Sequence, residues 1–370
     1  METTMNATRS LPLRDKLRVV LAITAKDMLE GLRNKTTLTA IVTTVMMIAL
    51  YRYLPLITDA NDPPRVFLYA ATPSEALADL EFGSSLQVGQ SPTLDALERR
   101  IGAGNDPELG LVVPPDFDAL VAAGETPELT GYVVQWVSPE EADQLVRQVE
   151  DGIYAETGLN VQIVLADKRV DPAIDNDGVA FMASLGTVFT LCMLGISFVP
   201  HLMMEEKSSR TLDALMVSPA SSWMVVASKA LTGVLYGLLL GVPSLLIYGP
   251  VIQQWGVAGL ALLAGVSFTI SVGLLLGMLV NTQQQLMAWA WVAIIPLILP
   301  PFIIVLSGLI PEWLASLLPW IPTVAVSLLI RASAAAYVPL DFILRNLAVI
   351  LAGTGIVLAI TASLVRRRDR

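Results

Sequence analysis

The amino-acid sequence predicts a mainly α-helical, polytopic membrane protein with six transmembrane helices, a re-entrant helical hairpin and an inserted small α/β (α+β) domain. Of its 370 residues, 54% are hydrophobic and only 15% are charged, and the mean hydropathy is +0.64. A water-soluble α/β enzyme of this length carries more charge and fewer apolar side chains. Two further observations support the prediction: the apolar residues fall into long windows, and the charges are distributed unevenly along the chain.

Residues 1–35 are predicted to form a cytoplasmic helix that lies on the membrane surface. Apolar and small side chains recur at helical spacing, at Leu17, Val20, Leu21, Thr24, Met28 and Leu32. The charged residues Arg18, Lys26, Asp27 and Arg33 lie mostly off this stripe. The pattern is typical of an amphipathic interfacial helix. A plain soluble helix would show the same periodicity, so it is the adjoining apolar window that favours the interfacial interpretation.

Six apolar windows are long enough to cross a bilayer, which requires about 20 predominantly apolar residues in a helix. They cover residues 36–57, 178–200, 225–248, 257–280, 286–306 and 343–364. The first window is too long and begins too late for a cleaved signal peptide, so we expect it to remain as an anchor. The later windows place transmembrane helices two to six in residues 178–365, followed by a basic cytoplasmic tail at residues 366–370.

A further apolar stretch, residues 309–331, is interrupted by Pro311, Pro319 and Pro322 and carries Glu312. Proline removes an amide donor, and irregular backbone at membrane depth is tolerated only against protein or beside a water-filled cavity. We therefore predict a re-entrant hairpin on the outer side of the membrane. A further full span is the alternative.

The charge distribution predicts the orientation of the chain. Residues 56–177 contain 23 acidic and 6 basic residues, whereas lysine and arginine cluster before the first window and after the last. Because basic flanks stay in the cytoplasm, both termini are expected there, in a bacterial cytoplasmic (inner) membrane. Residues 58–177 are then extracytoplasmic, and the segment between the second and third windows is cytoplasmic.

The segment at residues 58–177 is predicted to be a small α/β (α+β) domain, since structureless connections of this length are uncommon. Strand-like runs occupy residues 65–70, 109–113, 129–137 and 161–165, and helical spacing occurs at residues 74–80, 93–101, 117–123 and 139–156. Its many carboxylates could bind cations. None has the spacing of an EF-hand loop, however, so a solvated acidic surface is favoured.

The most informative cytoplasmic segment is a short predicted helix at about residues 205–218. It reads Glu-Glu-Lys-Ser-Ser-Arg-Thr-Leu-Asp-Ala-Leu-Met-Val-Ser and is followed by Pro219. Leu212, Leu215 and Met216 share one face, and Pro219 ends the helix. An apolar knob with polar flanks suits a groove in a cytoplasmic partner. An interfacial helix resting on lipid fits the same periodicity equally well.

This segment resembles the Glu-Glu-Lys-x-x-Gly/Arg-Thr-Leu-x-x-Leu-x-x-Ser/Thr-Pro signature of type-2 ABC exporter permeases, and nearly every position matches. The resemblance extends to Lys229 at the start of the third window, to the proline-rich outer segment and to the basic N-terminal helix. The large insertion between the first two windows resembles the subgroup that includes multidrug and sodium exporter subunits.

The resemblance implies that the segment is a coupling helix for a separate cytoplasmic ABC ATPase subunit. The residues that it assigns to ATPase coupling are Glu205, Glu206, Arg210, Thr211, Leu212, Leu215, Met216 and Pro219. It also implies a homodimer, or a heterodimer with a related permease, that exports an amphiphilic or hydrophobic compound (drug or lipid-like) or sodium. ATP and magnesium would then bind the partner ATPase, and this chain itself would carry no cofactor, metal or enzymatic site.

Sequence motifs of catalytic sites are missing. The chain has no Gly-x-x-x-x-Gly-Lys-Ser/Thr loop, no Gly-x-Ser-x-Gly elbow and no His-Glu-x-x-His pair. The single cysteine, Cys192, is interpreted as part of the structural packing, and the single histidine, His201, as an interfacial residue without special chemistry. No ionisable residue lies near the centre of a window, which favours an amphiphilic cargo over a small cation. The competing hypothesis is a membrane-anchored sensor or assembly protein whose acidic outer domain binds a ligand.

Overall fold

The computed structural model describes residues 13–33, 63–72, 74, 76–77, 85–103, 107–167, 169–171, 179–208, 222–304 and 310–368, together with residues 42, 45, 46 and 49. The predicted first span, residues 36–57, lies outside the described residues apart from those four. The predicted coupling helix, residues 205–218, is described only as far as residue 208.

Helix α1 spans Leu13–Arg33 and has two distinct faces. Thr24 and Asp27 are buried, whereas Leu17 and Leu21 are 55% and 58% exposed. Asp27, which lies off the apolar stripe in the sequence pattern, is thus buried against a neighbouring element. The carboxylate of Asp27 is buried against a cation of another helix, Lys229. Apolar periodicity alone cannot identify a carboxylate that is buried in this way.

The segment between residues 63 and 171 folds into a five-stranded mixed sheet with flanking helices. The strands are β1 (Arg65–Ala70), β2 (Gln87–Gln90), β3 (Leu109–Val113), β4 (Glu128–Tyr132) and β5 (Gln162–Leu165), and the helices are α2 (Leu94–Ala103), α3 (Phe117–Ala123) and α4 (Pro139–Thr157). The strand order is β2-β1-β3-β4-β5, and every pair is parallel except β3 with β4. A hydrophobic core of its own includes Leu97, Leu111 and Leu129, so this segment has the packing of a separate domain. We call it the sheet domain.

The predicted runs at residues 65–70 and 109–113 coincide with β1 and β3. The run at 129–137 is predicted too long, because the chain leaves the sheet after Tyr132 and returns only as an isolated bridge between Val134 and Val170. Strand β2 is missing from the prediction, since its sequence Gln-Val-Gly-Gln lacks the apolar alternation of a strand. Within the predicted helix 74–80, the described residues contain a turn at 76–77.

The remaining described elements are apolar helices. They are α5 (Val179–Met193), α6 (Val199–Ser208), α7 (Ser222–Ile247), α8 (Trp255–Leu279), α9 (Gln283–Ile303), α10 (Glu312–Leu317), α11 (Pro322–Ala332) and α12 (Leu340–Arg368). Among the described residues, five segments are long and apolar enough to cross a bilayer: Val179–Met204, Met224–Ile247, Trp255–Leu279, Gln283–Ile303 and Leu340–Val365. They coincide with the predicted windows two to six, so the chain has the helices of a multi-pass membrane protein.

A π-helical turn, Leu194–Phe198, joins α5 to α6 within one continuous segment. The N–H of Val199 donates to the carbonyl of Leu194, five residues earlier. The next residue, Pro200, has no N–H to donate to the carbonyl of Ile196. The wider turn therefore occurs where the regular helical hydrogen bonding would fail in any case.

Helix α8 lies at the centre of the membrane helices and contacts α5, α6, α7, α11 and α12. Glycines allow this close packing. A side chain at Gly273 would meet the carbonyl oxygen of Gly195 in the π-helical turn, and one at Gly237 would come within 2.7 Å of Val266. Gly237 and Gly273 each begin a Gly-x-x-x-Gly spacing, with Gly241 and Gly277, and these glycines pack helices of this chain against each other.

The proline-rich stretch forms two short helices, α10 and α11, with a 3-10 turn (Leu318–Trp320) between them. The axes of Glu312–Trp320 and Pro322–Ala332 differ by 81°, which is the geometry of a re-entrant loop or a broken span. Helix α11 is held against α5 by a 2.7 Å hydrogen bond between the hydroxyls of Ser184 and Ser327. The broken helix that the prolines predict is therefore present and packs against protein, as such backbone requires.

The sheet domain rests on the ends of the membrane helices through Trp136. Trp136 and Val179 pack against a buried cluster formed by Ala180 at the start of α5, Val251 after α7 and Ala334 after α11. A cavity of about 350 Å³ adjoins this contact, lined by Gln135, Trp136, Pro250, Val251, Ile252 and Gln253. The sheet domain and the membrane helices thus share a defined junction.

Candidate functional site

The candidate site lies where α6 ends at Ser208 and α7 begins at Ser222, an end of the membrane helices that we call the coupling end. Of the predicted coupling residues, Glu205 and Glu206 lie in α6 as backbone positions. The other six, Arg210, Thr211, Leu212, Leu215, Met216 and Pro219, lie outside the described residues. The structure therefore shows the two helices that border the predicted coupling segment and what surrounds them.

The last turns of α6 are fixed against the turn between α8 and α9. Met204 packs against Val280 and Leu286, and all three are buried. The Nε2 of Gln283 lies 3.3 Å from Nδ1 of His201 in α6.

The turn itself, residues 281–285, is exposed and well ordered by local hydrogen bonds. The Thr282 hydroxyl accepts from the N–H of Gln285 at 3.2 Å, and the Gln285 side chain accepts from the N–H of Asn281 at 3.1 Å. These reciprocal bonds resemble a capping box and begin α9. This turn thus lies beside α6, close to the point where the predicted coupling segment begins.

Helix α1 is attached to α7 by an ion pair between residues 202 positions apart in the chain. The Lys229 ammonium donates to Oδ2 of Asp27 at 2.7 Å, and the side chains are 2% and 3% exposed. Two further hydrogen bonds flank the pair. The Thr24 hydroxyl donates to the carbonyl of Ser228 at 3.3 Å, and the Tyr236 hydroxyl donates to the carbonyl of Met28 at 2.9 Å.

Tyr236 also contacts the span that leads to the coupling segment. Its ring lies 4.3 Å, centroid to centroid, from the ring of Phe198 in the π-helical turn, and Gly233 lets Val199 approach α7 closely. Tyr236 is therefore the point at which α1, α7 and the segment before α6 meet. Both helices that border the coupling segment are connected to α1 through this residue and Lys229.

Sequence reasoning notes Asp27 and Lys229 separately but does not join them. A signal was available in principle, because a lysine within an apolar helix must find an anionic partner or neutralise. The pairing itself depends on how α1 crosses α7, and no spacing within either segment encodes that crossing.

Among the described residues, no three histidine, cysteine, aspartate or glutamate side chains lie close enough together to hold a metal ion. Buried polar side chains do occur between the membrane helices. The hydroxyl of Ser184 bonds both to Ser327 and to the carbonyl of Phe181, and Thr187 bonds to the carbonyl of Ala183. These bonds keep the hydroxyls satisfied within the helix bundle.

Comparison with known proteins identifies one family. The family described as ABC-2 family transporter protein matches residues 35–364. The match includes the predicted coupling segment, the sheet domain and all five spanning helices. No curated protein and no solved structure matches the chain.

Proposed function

This chain belongs to the ABC-2 family of transporter proteins, and from that premise we propose that it is the membrane (permease) subunit of an ATP-driven exporter. Membership of this family implies that the chain pairs with a cytoplasmic ABC ATPase. In the proposal, ATP and magnesium bind that partner, and this chain converts the motion of the ATPase into a rearrangement of its own helices.

One observation supports the proposal: the family match includes the segment between α6 and α7, whose sequence resembles the signature of a coupling helix. Glu205, Glu206, Arg210 and Thr211 would supply its polar contacts. Leu212, Leu215 and Met216 would fill an apolar groove of the ATPase, and Pro219 would end the helix. The exposed turn at residues 281–285 lies beside α6 and offers a second contact.

We further propose that two copies pair in a bacterial cytoplasmic membrane, with both termini and the coupling end facing the cytoplasm and the sheet domain outside. Helix α9 exposes a broad apolar face, including Trp289, Trp291 and Val292, which lipid or a second copy would cover. The cargo is an amphiphilic or hydrophobic compound. In support, hydroxyls bond between these helices, Ser184 to Ser327 and Thr187 to Ser244, whereas a carboxylate at such a place would favour sodium.

The second candidate, a sensor or assembly protein, is supported by the junction at Trp136. A sheet domain with its own core packs directly on the ends of α5 and α11, so a ligand bound to that domain would act on the membrane helices. Such a protein would need no ATPase partner, and this difference separates the two proposals.

The test is co-expression with an ABC ATPase subunit from the same genome, followed by affinity purification of this chain. Wild type should retain the ATPase, and the double variant Leu212→Asp, Leu215→Asp should lose it because two charges would enter an apolar groove. The matched control is Leu94→Asp, Val164→Asp, which makes the same change at exposed positions of the sheet domain. An ATPase that binds both variants equally, or does not bind wild type, would contradict the exporter proposal.

A further inference from the structure

Lys229 carries a buried charge in a helix that is otherwise a regular apolar span. A buried ion pair of this kind contributes less to stability than its short distance suggests, because both charges lose their hydration. What it does provide is specificity. Lys229 cannot leave Asp27 without losing the carboxylate that balances its charge, so α1 has one favoured position on α7.

The three contacts differ in the atoms that they use, and together they fix both the position and the rotation of α1. Thr24 and Tyr236 reach backbone carbonyls, and Lys229 reaches a carboxylate. On α7 the contacts extend from Ser228 to Tyr236, which is about 12 Å along a helix. A single contact would allow α1 to pivot, whereas contacts over this length prevent it.

Tyr236 carries this attachment to the other side of the coupling segment. Its hydroxyl binds α1, and its ring lies on Phe198, which precedes α6. A displacement of the coupling segment must act on α6, on α7 or on both. In either case the displaced helix is connected to α1 through side chains that are almost completely buried.

We propose that Asp27, Lys229 and Tyr236 are positioning residues that make α1 and α7 move as one body, so that the ATPase stroke is transmitted to α1 as well as to the spans. This inference rests on the proposed exporter function. In this proposal, helix α1 transmits motion as well as packing against α7. The exposed leucines of α1, Leu17, Leu21 and Leu29, would then move along the membrane surface during each transport cycle.

The experiment measures distances between spin labels by electron paramagnetic resonance in the full complex with the ATPase. One label pair joins α1 to α7, at Leu29→Cys and Leu239→Cys, and a second joins α1 to α12, at Leu29→Cys and Leu351→Cys; all three sites are exposed. The native Cys192 is buried and does not compete for the label. Distances are compared without nucleotide and after trapping with ATP and vanadate.

In the wild-type background, trapping should shift the α1–α12 distance and leave the α1–α7 distance unchanged. Lys229→Met should broaden the α1–α7 distribution and abolish the nucleotide-dependent α1–α12 shift. Tyr236→Phe, which keeps the ring on Phe198 and removes only the hydroxyl, should broaden the same distribution to a smaller extent. The charge exchange Asp27→Lys, Lys229→Asp should restore the wild-type behaviour, which a loss of packing alone would not explain.

The matched control is Lys26→Met, since Lys26 neighbours Asp27 in α1 but makes an exposed pair with Glu30 at 3.6 Å. It should behave as wild type. An unchanged α1–α12 shift in Lys229→Met, or a wild-type α1–α7 distance that itself changes with nucleotide, overturns the inference. If the ATPase does not bind at all, the exporter proposal fails, but the α1–α7 distribution without nucleotide still tests the attachment.

Discussion

At the scale of single residues, the ion pair between Asp27 and Lys229 determines what a mutation at this site would cost. A charge that is only 2–3% exposed depends almost entirely on its partner. Removing Lys229 takes from Asp27 the cation that balances its buried charge, whereas replacing both residues leaves two apolar side chains in contact. The two kinds of change should therefore have very different effects.

We expect Lys229→Met to lower the free energy of unfolding by about 3–5 kcal/mol, because Asp27 would remain buried without that cation. The double change Asp27→Leu, Lys229→Met should recover most of that loss. Thermal unfolding of the purified protein in detergent measures both. Lys26→Met, at an exposed pair, should change stability by no more than about 1 kcal/mol. If Lys229→Met were as stable as the double variant, the ion pair between Asp27 and Lys229 would not form in the folded protein.

The same two residues show the limit of reasoning from sequence. Periodicity along α1 ranks side chains by hydrophobicity, so it places Asp27 off the apolar stripe and gives no sign that Asp27 is buried. Its burial is instead determined by the position of Lys229, which follows from how two helices pack. The coupling residues are recognised because they form one contiguous motif, whereas the two residues of the ion pair lie 202 positions apart in the chain.

At the scale of elements, the packing of α8 depends on glycines that bring backbones into contact. Gly273 lies against the carbonyl oxygen of Gly195, and a carbonyl oxygen cannot move aside as a flexible side chain can. Gly259 lies in the same helix, and a methyl group added there would meet nothing within 4 Å. An alanine at Gly259 therefore changes only the helix propensity of α8, whereas an alanine at Gly273 also changes its packing against the π-helical turn.

Gly273→Ala should destabilise the protein by about 1–3 kcal/mol, since the added methyl group forces α8 away from the π-helical turn. Gly259→Ala should be neutral or stabilise by up to about 1 kcal/mol, because alanine is the better helix former. Thermal unfolding of both variants provides the comparison. Equal effects would mean that the close approach of α8 and the π-helical turn is absent in the membrane.

Elements are predicted well from sequence where one physical signal dominates. The window at residues 257–280 matches α8, Trp255–Leu279, because the need to cross a bilayer dictates both length and composition. Strand β2 is missed because its four residues, Gln87–Gln90, carry no apolar alternation. It exists because it pairs with β1, and tertiary pairing of that kind leaves no local pattern.

At the scale of the whole molecule, the orientation in the membrane can be tested directly, since the sheet domain and the turn at residues 281–285 should face opposite compartments. The single native cysteine is buried, so introduced cysteines can be labelled selectively. Glu140 in α4 and Gln284 in the turn are both exposed. They form a matched pair of reporter positions.

In intact cells, Glu140→Cys should react with a membrane-impermeant maleimide, and Gln284→Cys should react only after permeabilisation. This outcome follows from the acidic composition around the sheet domain and the basic flanks of the first and last windows. Labelling is read by mass shift after purification. Reaction of Gln284→Cys in intact cells, with Glu140→Cys protected, would invert the proposed topology.

The π-helical turn between α5 and α6 sets the helical phase of everything that follows it. Leu191 lies beside Gly265 and Met203 beside Gly277, both in α8, although they are twelve residues apart. In an unbroken α-helix that spacing would separate them by about 120° around the axis. One extra residue in the wider turn reduces the difference to about 20°, so both side chains reach the same neighbour. The azimuth at which the chain enters the coupling segment is thus fixed by a single surplus residue in the middle of the span.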